Sequence, residues 1–326
     1  FLFMNFEVSL STCWCSGRHE DGYEMLREIA DLGFEYAELS HGIRVVLMPG
    51  ILKAVDEGWI KISSTHNFCP LPVGVMHPAP NYYQPSSPST QEREMWVRQT
   101  LATLDFTKKL NAHRVVMHSG SVIGRFLFNP FKKVETLKKQ HGDDEDLVEN
   151  IQYLNALEKA KNKMLKKAKP ALHHIVESYS RVLPRAKELG LKLCAENREG
   201  FMELPLDEGM SSFLDSLPEQ ESVGYWHDTG HAQIKQEAGL TDQFELLSLN
   251  SDRLTGFHIH DVTEDDRDHS ELGTGRVNID RISQFFQPDH ALVLELHPAL
   301  KTEQVNASHK ILQDLVTKRS RELGLQ

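Results

Sequence analysis

One nine-residue stretch combines the pattern of a buried strand with side chains that could bind a metal ion. It runs Val-Gly-Tyr-Trp-His-Asp-Thr-Gly-His over residues 223–231, so an apolar run ends at Asp228 and His231 follows three residues later. An apolar run bounded by small residues predicts a buried strand, and a carboxylate beside an imidazole offers the donors that divalent cations prefer. A simpler alternative also fits, in which Asp228 caps a helix and His231 lies at the surface.

Acidic residues and histidines recur at the ends of other predicted strands. They are His66, His118, Glu196, Asp228, His231, His258, His260, Glu295 and His297. A single histidine in a strand is usually a core residue, but many at one edge are better explained by a bound metal. Three carboxylates and one imidazole would suit Mn²⁺, Mg²⁺, Co²⁺ or Zn²⁺. The ligands that we favour are Glu196, Asp228, His258 and Glu295.

Strand and helix patterns alternate along the whole chain. The predicted strands are 6–12, 34–39, 60–65, 113–117, 191–195, 223–228, 254–260 and 291–294. Eight parallel strands with crossover helices close most simply into an α/β (β/α)₈ TIM barrel, in which every strand opens its carboxyl end on one face. An open doubly wound sheet is the alternative, but no Gly-rich turn follows the first strand.

Residues 124–170 interrupt the alternation. They contain the acidic run Asp143-Asp144-Glu145-Asp146 and a lysine-rich helical run over residues 156–169. We predict a single barrel domain over residues 1–326 with a helical insertion at about 124–170, after the fourth strand. A solvated helix face is the simplest role for this segment, and a lid or an oligomer contact is the alternative.

Composition narrows the classes of function. The net charge of −11 opposes contact with nucleic acid, and no apolar run is long enough for a membrane span. The four cysteines show no pairing pattern, which favours free thiols in a reducing cytoplasm. We therefore expect a cytoplasmic protein with a small-molecule partner, with nucleic acid disfavoured and a homo-oligomer left open.

A series of short motifs resembles the xylose isomerase-like barrel superfamily, which holds sugar phosphate isomerases and epimerases together with endonuclease IV. The motifs are His66-Asn67, Val116-Met117-His118-Ser119-Gly120, Ala195-Glu196-Asn197, His227-Asp228-Thr229-Gly230-His231, Phe257-His258-Ile259-His260-Asp261, Leu272-Gly273-Thr274-Gly275 and Leu294-Glu295. The resemblance implies that the four favoured ligands occupy the family's metal positions. It also implies that His231 contacts substrate, as in the epimerases, or a further zinc, as in the endonuclease.

The isomerase or epimerase branch implies proton transfer on a sugar or sugar-like hydroxycarbonyl compound. One divalent ion would stabilise an enediolate, and Glu196 and Glu295 would remove and return the proton. The side chains expected to position the substrate are His66, His118, His231, His260 and His269.

The endonuclease branch implies three Zn²⁺ ions and cleavage of abasic DNA. His66 and His118 would hold one ion, while His231, His269 and an aspartate would hold another. The endonuclease motif reads Asp-Arg-His, whereas this chain has Asp-Arg-Asp-His over residues 266–269, which leaves the aspartate one residue out of register or replaces it by Arg267. A non-catalytic binder with a structural metal is a third possibility, and the complete carboxylate set argues against it.

Overall fold

The computed structural model describes residues 6–122, 128–141 and 147–325. Its eight strands are β1 Glu7–Ser11, β2 Tyr36–Leu39, β3 Lys61–His66, β4 Arg114–Met117, β5 Lys192–Glu196, β6 Val223–Asp228, β7 Leu254–Ile259 and β8 Ala291–Leu294. Each strand pairs in parallel with the next, and β8 pairs with β1. The predicted (β/α)₈ barrel is confirmed.

Helices cover the outside of the barrel. Their bounds are α1 Gly22–Asp31, α2 Met48–Asp56, α3 Thr90–Lys109, α4 Lys132–His141, α5 Ile151–Leu189, α6 Met210–Ser216, α7 Thr229–Glu237, α8 Gln243–Leu249, α9 Ile279–Ile282 and α10 Thr302–Glu322. Several begin at side chains that accept backbone N–H groups, as Asp21 does for α1 and Ser89 for α3. Among the described helices, none has the length and apolarity that crossing a bilayer would require.

The segment between β4 and β5 differs from its prediction in one respect. The helical insertion was predicted to end at about residue 170, but α5 runs unbroken for 39 residues through Pro170 to Leu189. A proline inside a helix removes one hydrogen bond, and α5 offsets this loss because one face is buried along its length, from Tyr153 through Met164 to Tyr179. The acidic run of residues 143–146 and the segment 123–127 lie outside the described residues.

Five buried residues form a small apolar cluster among the strands of the barrel. Val116, Cys194, Trp226, Ala291 and Val293 form this inner cluster. Gly256 leaves room for the Trp226 indole, because a Cβ at this position would lie only 2.4 Å from the ring. All four cysteines are free thiols, as the sequence predicted. The polar strand ends that carry the candidate site lie at the carboxyl face of the barrel.

Candidate functional site

Four strand ends bring the favoured ligands together in what we call the central group: Glu196, Asp228, His258 and Glu295. One donor atom from each lies within 4.8 Å of all the others. Nδ1 of His258 is 2.7 Å from Glu196 Oε1 and 3.0 Å from Glu295 Oε2. All four residues are buried. Because three carboxylates and one imidazole converge without solvent, the chemistry of this donor set fits a divalent cation.

A second carboxylate orients His258 from the opposite side of its ring. Both oxygens of the buried Glu38, on β2, lie 3.1 Å from His258 Nε2. Ser11 and Ser64 donate to the same carboxylate at 3.0 and 2.8 Å. Since Glu38 holds the Nε2 proton, Nδ1 is left to face the central group, the outer-shell arrangement typical of metal-binding histidines.

Asp228 serves both the fold and the site. Its Oδ1 accepts the His231 amide at 2.8 Å and caps α7, so the helix cap of the simpler alternative is present, but His231 is buried and does not lie at the surface. Its Oδ2 lies 3.1 Å from His260 Nε2. The Asn197 side chain pairs with the Asp228 main chain, accepting its N–H at 2.8 Å and donating to its carbonyl at 3.0 Å. Asp228 is thus fixed from both its backbone and its carboxylate.

Both ring nitrogens of His260 make hydrogen bonds. Its Nδ1 accepts the His269 amide at 2.9 Å, so the proton lies on Nε2 and is donated to Asp228. Gly230 permits this approach, because a Cβ there would lie 2.2 Å from the ring. The geometry gives His260 the task of orienting Asp228, and its expected contact with substrate stays a prediction.

Two further predicted histidines share Glu196 with the central group. We call His66, His118 and Glu196 the lateral group. Nε2 of His118 and Nε2 of His66 lie 3.1 and 3.8 Å from Glu196 Oε2. Each Nδ1 faces an oxygen acceptor, the Asn81 side chain at 3.3 Å and the Asn67 carbonyl at 3.2 Å. Both imidazoles therefore turn Nε2 towards the glutamate.

The remaining histidines meet an aspartate at the edge of the barrel. We call His231, Asp268 and His269 the rim group. Asp268 Oδ2 lies 3.4 Å from His269 Nε2 and 3.8 Å from His231 Nε2. Asp268, immediately before His269, supplies the aspartate of this group, while Arg267 pairs with Asp265 outside it.

Charges within the site keep its carboxylates ionised, the form that binds a cation. Burial alone would raise the pKa of Glu196, but Arg198 and the neighbouring histidines lower it well below its usual value. The pKa of Asp228 is likewise lowered against the effect of burial, by His231 and His260. Burial and the Arg198 charge lower the pKa of His118 to about 3, so this imidazole is neutral at physiological pH.

Three residues of the site were absent from the predicted set. Glu38 stands at a strand end, so the rule that found the ligands would have found it too. Asp268 adjoins a predicted histidine, whereas Arg198 carried no signal that separated it from a surface arginine.

The turn at Gly273 and Gly275 donates its amides to Asp261 at 2.9 and 3.0 Å. These amides are therefore engaged within the turn and are not available to bind a phosphate.

Comparison with known proteins addresses the fold and the family. None of the curated proteins matches this chain. L-ribulose 3-epimerase superposes with a TM-score of 0.68 at 12% identity, covering 98% of this chain and 97% of that one. A D-tagatose 3-epimerase-like protein gives 0.64 at 14% identity, covering 98% and 100%. A Thermus thermophilus protein soaked with ZnCl₂ gives 0.57 at 21% identity, covering 96% and 99%.

At these identities the solved structures demonstrate a shared fold alone. The family described as xylose isomerase-like TIM barrel matches residues 26–313, which is most of the sequence. The chain therefore belongs to the xylose isomerase-like TIM barrel family.

Proposed function

We propose that the chain is a divalent-metal-dependent isomerase or epimerase of a sugar or a sugar-like hydroxycarbonyl compound. The observation that carries the proposal is the central group, in which Glu196 and Glu295 reach the same nitrogen of His258 from two different strands. Two carboxylates beside one cation position can serve the two faces of a substrate carbon. The sugar epimerases among the structural neighbours support this choice.

The protein's own groups are suited to moving a proton. A bound divalent ion would polarise the substrate carbonyl and stabilise negative charge on its oxygen. Burial alone would raise the pKa of Glu295, but His258 lowers it well below its usual value, so the carboxylate is ionised and can accept a proton. Glu196 is ionised as well, because Arg198 and the neighbouring histidines lower its pKa. One glutamate removes the proton from carbon and the other returns it.

The lateral and rim histidines would hold the hydroxyl groups of the substrate. Imidazole nitrogens can donate or accept hydrogen bonds, which suits a polyhydroxylated compound. His118 and His66 approach Glu196 of the central group, and His231 and His269 approach Asp268. We propose a small sugar-like molecule as the ligand that these side chains position.

The proposal is tested by turnover and by proton exchange. The protein loaded with Mn²⁺ is incubated with a panel of ketoses in D₂O, and deuterium incorporation at carbon is followed by NMR. Glu196→Gln and Glu295→Gln should each abolish turnover, and Glu57→Gln, at the exposed end of α2, is the control. Full activity in either active-site variant would reject its role in proton transfer.

A second candidate, phosphodiester hydrolysis on abasic DNA with three Zn²⁺ ions, is favoured by one observation. The lateral and rim groups supply two further sets of donors beside the central group. The net charge of −11 weighs against a DNA partner. Cleavage of an abasic-site duplex by the zinc-loaded protein, with no ketose turnover, would select this candidate. Metal binding with neither activity would leave the non-catalytic binder.

A further inference from the structure

The two oxygens of Glu196 face different groups. Oε1 lies 2.7 Å from His258 Nδ1 and belongs to the central group. Oε2 faces the lateral group, yet its shortest contact is with Arg198, whose Nη1 donates to it at 2.6 Å. His118 Nε2 is 3.1 Å from the same oxygen. The guanidinium therefore occupies the carboxylate oxygen that a cation in the lateral group would need.

Arg198 is held in this position by a second carboxylate. Its Nε donates to Glu203 Oε1 at 3.3 Å, and the other oxygen of Glu203 accepts the Gly200 amide at 2.9 Å. Gly200 is required for this approach, because a Cβ there would lie 2.7 Å from Glu203 Oε2. The Arg198 side chain is 11% exposed. Since a guanidinium does not deprotonate in proteins, this positive charge is permanent.

We infer that Arg198 keeps the lateral group free of metal, so that Glu196 serves one ion, in the central group. A cation coordinated by Oε2 would have to displace a charge-assisted hydrogen bond and stand beside a fixed positive charge. His66 and His118 are thereby reserved for hydrogen bonds to substrate. The inference rests on the proposed function and deepens it, because it assigns these two histidines to the substrate and not to a second metal.

The test counts ions and detects whether two of them are close together. Wild-type protein and Arg198→Met are saturated with Mn²⁺, freed of excess ion, and measured by elemental analysis and by electron paramagnetic resonance. The variant should hold one more ion per chain than the wild type. Because the additional ion shares Glu196 with the central one, its spectrum should show two coupled Mn²⁺ ions where the wild type shows none.

Two control variants identify the cause of the extra ion. Arg198→Met combined with His118→Ala should return to the wild-type count, because it removes a lateral ligand. Arg181→Met removes another arginine that is paired with a glutamate, Glu94, on the outer surface, and it should leave the count unchanged. If Arg198→Met does not fold, Glu203→Gln frees the guanidinium and should increase the affinity for the additional ion.

The outcomes separate the inference from the proposed function. A coupled pair already present in the wild type, or an unchanged count in every folded variant that removes or frees Arg198, overturns the inference. Failure of the proposed function would give a different result. The wild type would then hold no ion that depends on Asp228, so Asp228→Asn would leave the metal content unchanged. A wild type with an Asp228-dependent ion and an additional coupled ion in Arg198→Met supports both.

Discussion

The central and rim groups offer similar donor atoms in different settings. In the central group Asp228 and His258 are 0% exposed and Glu196 is 1% exposed, whereas the Asp268 and His269 side chains are 25% and 27% exposed. The central donors stand on strand ends, while Asp268 and His269 lie on the loop after β7, where His269 has a φ of +50°. Rigid elements hold donors more accurately than loops do.

The two groups also differ in the buried residues that hold their donor side chains in place. Glu38 orients His258, and His260 and Asn197 orient Asp228, each from a buried position. The ion pairs described for the Asp268 carboxylate are with the two rim histidines, and neither a buried carboxylate nor a buried amide is among them. Buried carboxylates that converge repel each other unless a cation is present. The central group therefore has the fixed donors that the proposed ion would need, whereas the rim group has the looser setting proposed for substrate contacts.

The largest effect should come from removing the central imidazole. His258→Ala deletes one donor and leaves Glu38 buried without its partner, which costs on the order of 3–5 kcal/mol of folding free energy. We expect loss of the tightly bound ion, measured by elemental analysis, together with a lowered denaturation midpoint. His297→Ala, at an exposed histidine beyond β8, is the control. Retention of the ion by His258→Ala would remove His258 from the ligand set.

A smaller effect should follow from changing the residue behind the imidazole. Glu38→Gln keeps the shape of the side chain but removes the charge that holds the His258 Nε2 proton. Outer-shell substitutions of this kind weaken metal binding by about 10–100-fold. Competition with a chromophoric chelator measures the change.

Ser64→Ala is the matched control for Glu38→Gln, because it removes one hydrogen bond to Glu38 and leaves the charge in place. It should weaken metal binding less than Glu38→Gln does. Equal affinities in Glu38→Gln and the wild type would show that the central group does not depend on this buried support.

The same contrast explains what could be predicted from the sequence. The ligands on β5 to β8 were predictable because the carboxyl ends of parallel strands meet at one face, whatever the details of packing. Asp268 was not predicted, because its side chain reaches the site through a loop whose conformation has no periodic pattern. Arg198 was missed because its neighbour Glu203 holds it through a contact that only the folded turn creates. The predicted end of the insertion at residue 170 is not the end of a helix. The burial of one face of α5 outweighs the hydrogen bond that Pro170 removes.

The smallest effect should come from the rim. Asp268→Asn alters a side chain that is 25% exposed, so the folding free energy should change by no more than about 0.5 kcal/mol. The affinity of the central group for its ion should remain within the wild-type range, because its donors and their buried partners are untouched. Asp266→Asn is the matched control, since Asp266 pairs with Lys138 and Arg276 outside the site.

If the rim serves substrate, Asp268→Asn raises KM for the ketose and the control does not. If Asp268→Asn removes the central ion instead, the rim is coupled to the centre and the distinction between a fixed and an adjustable group is wrong.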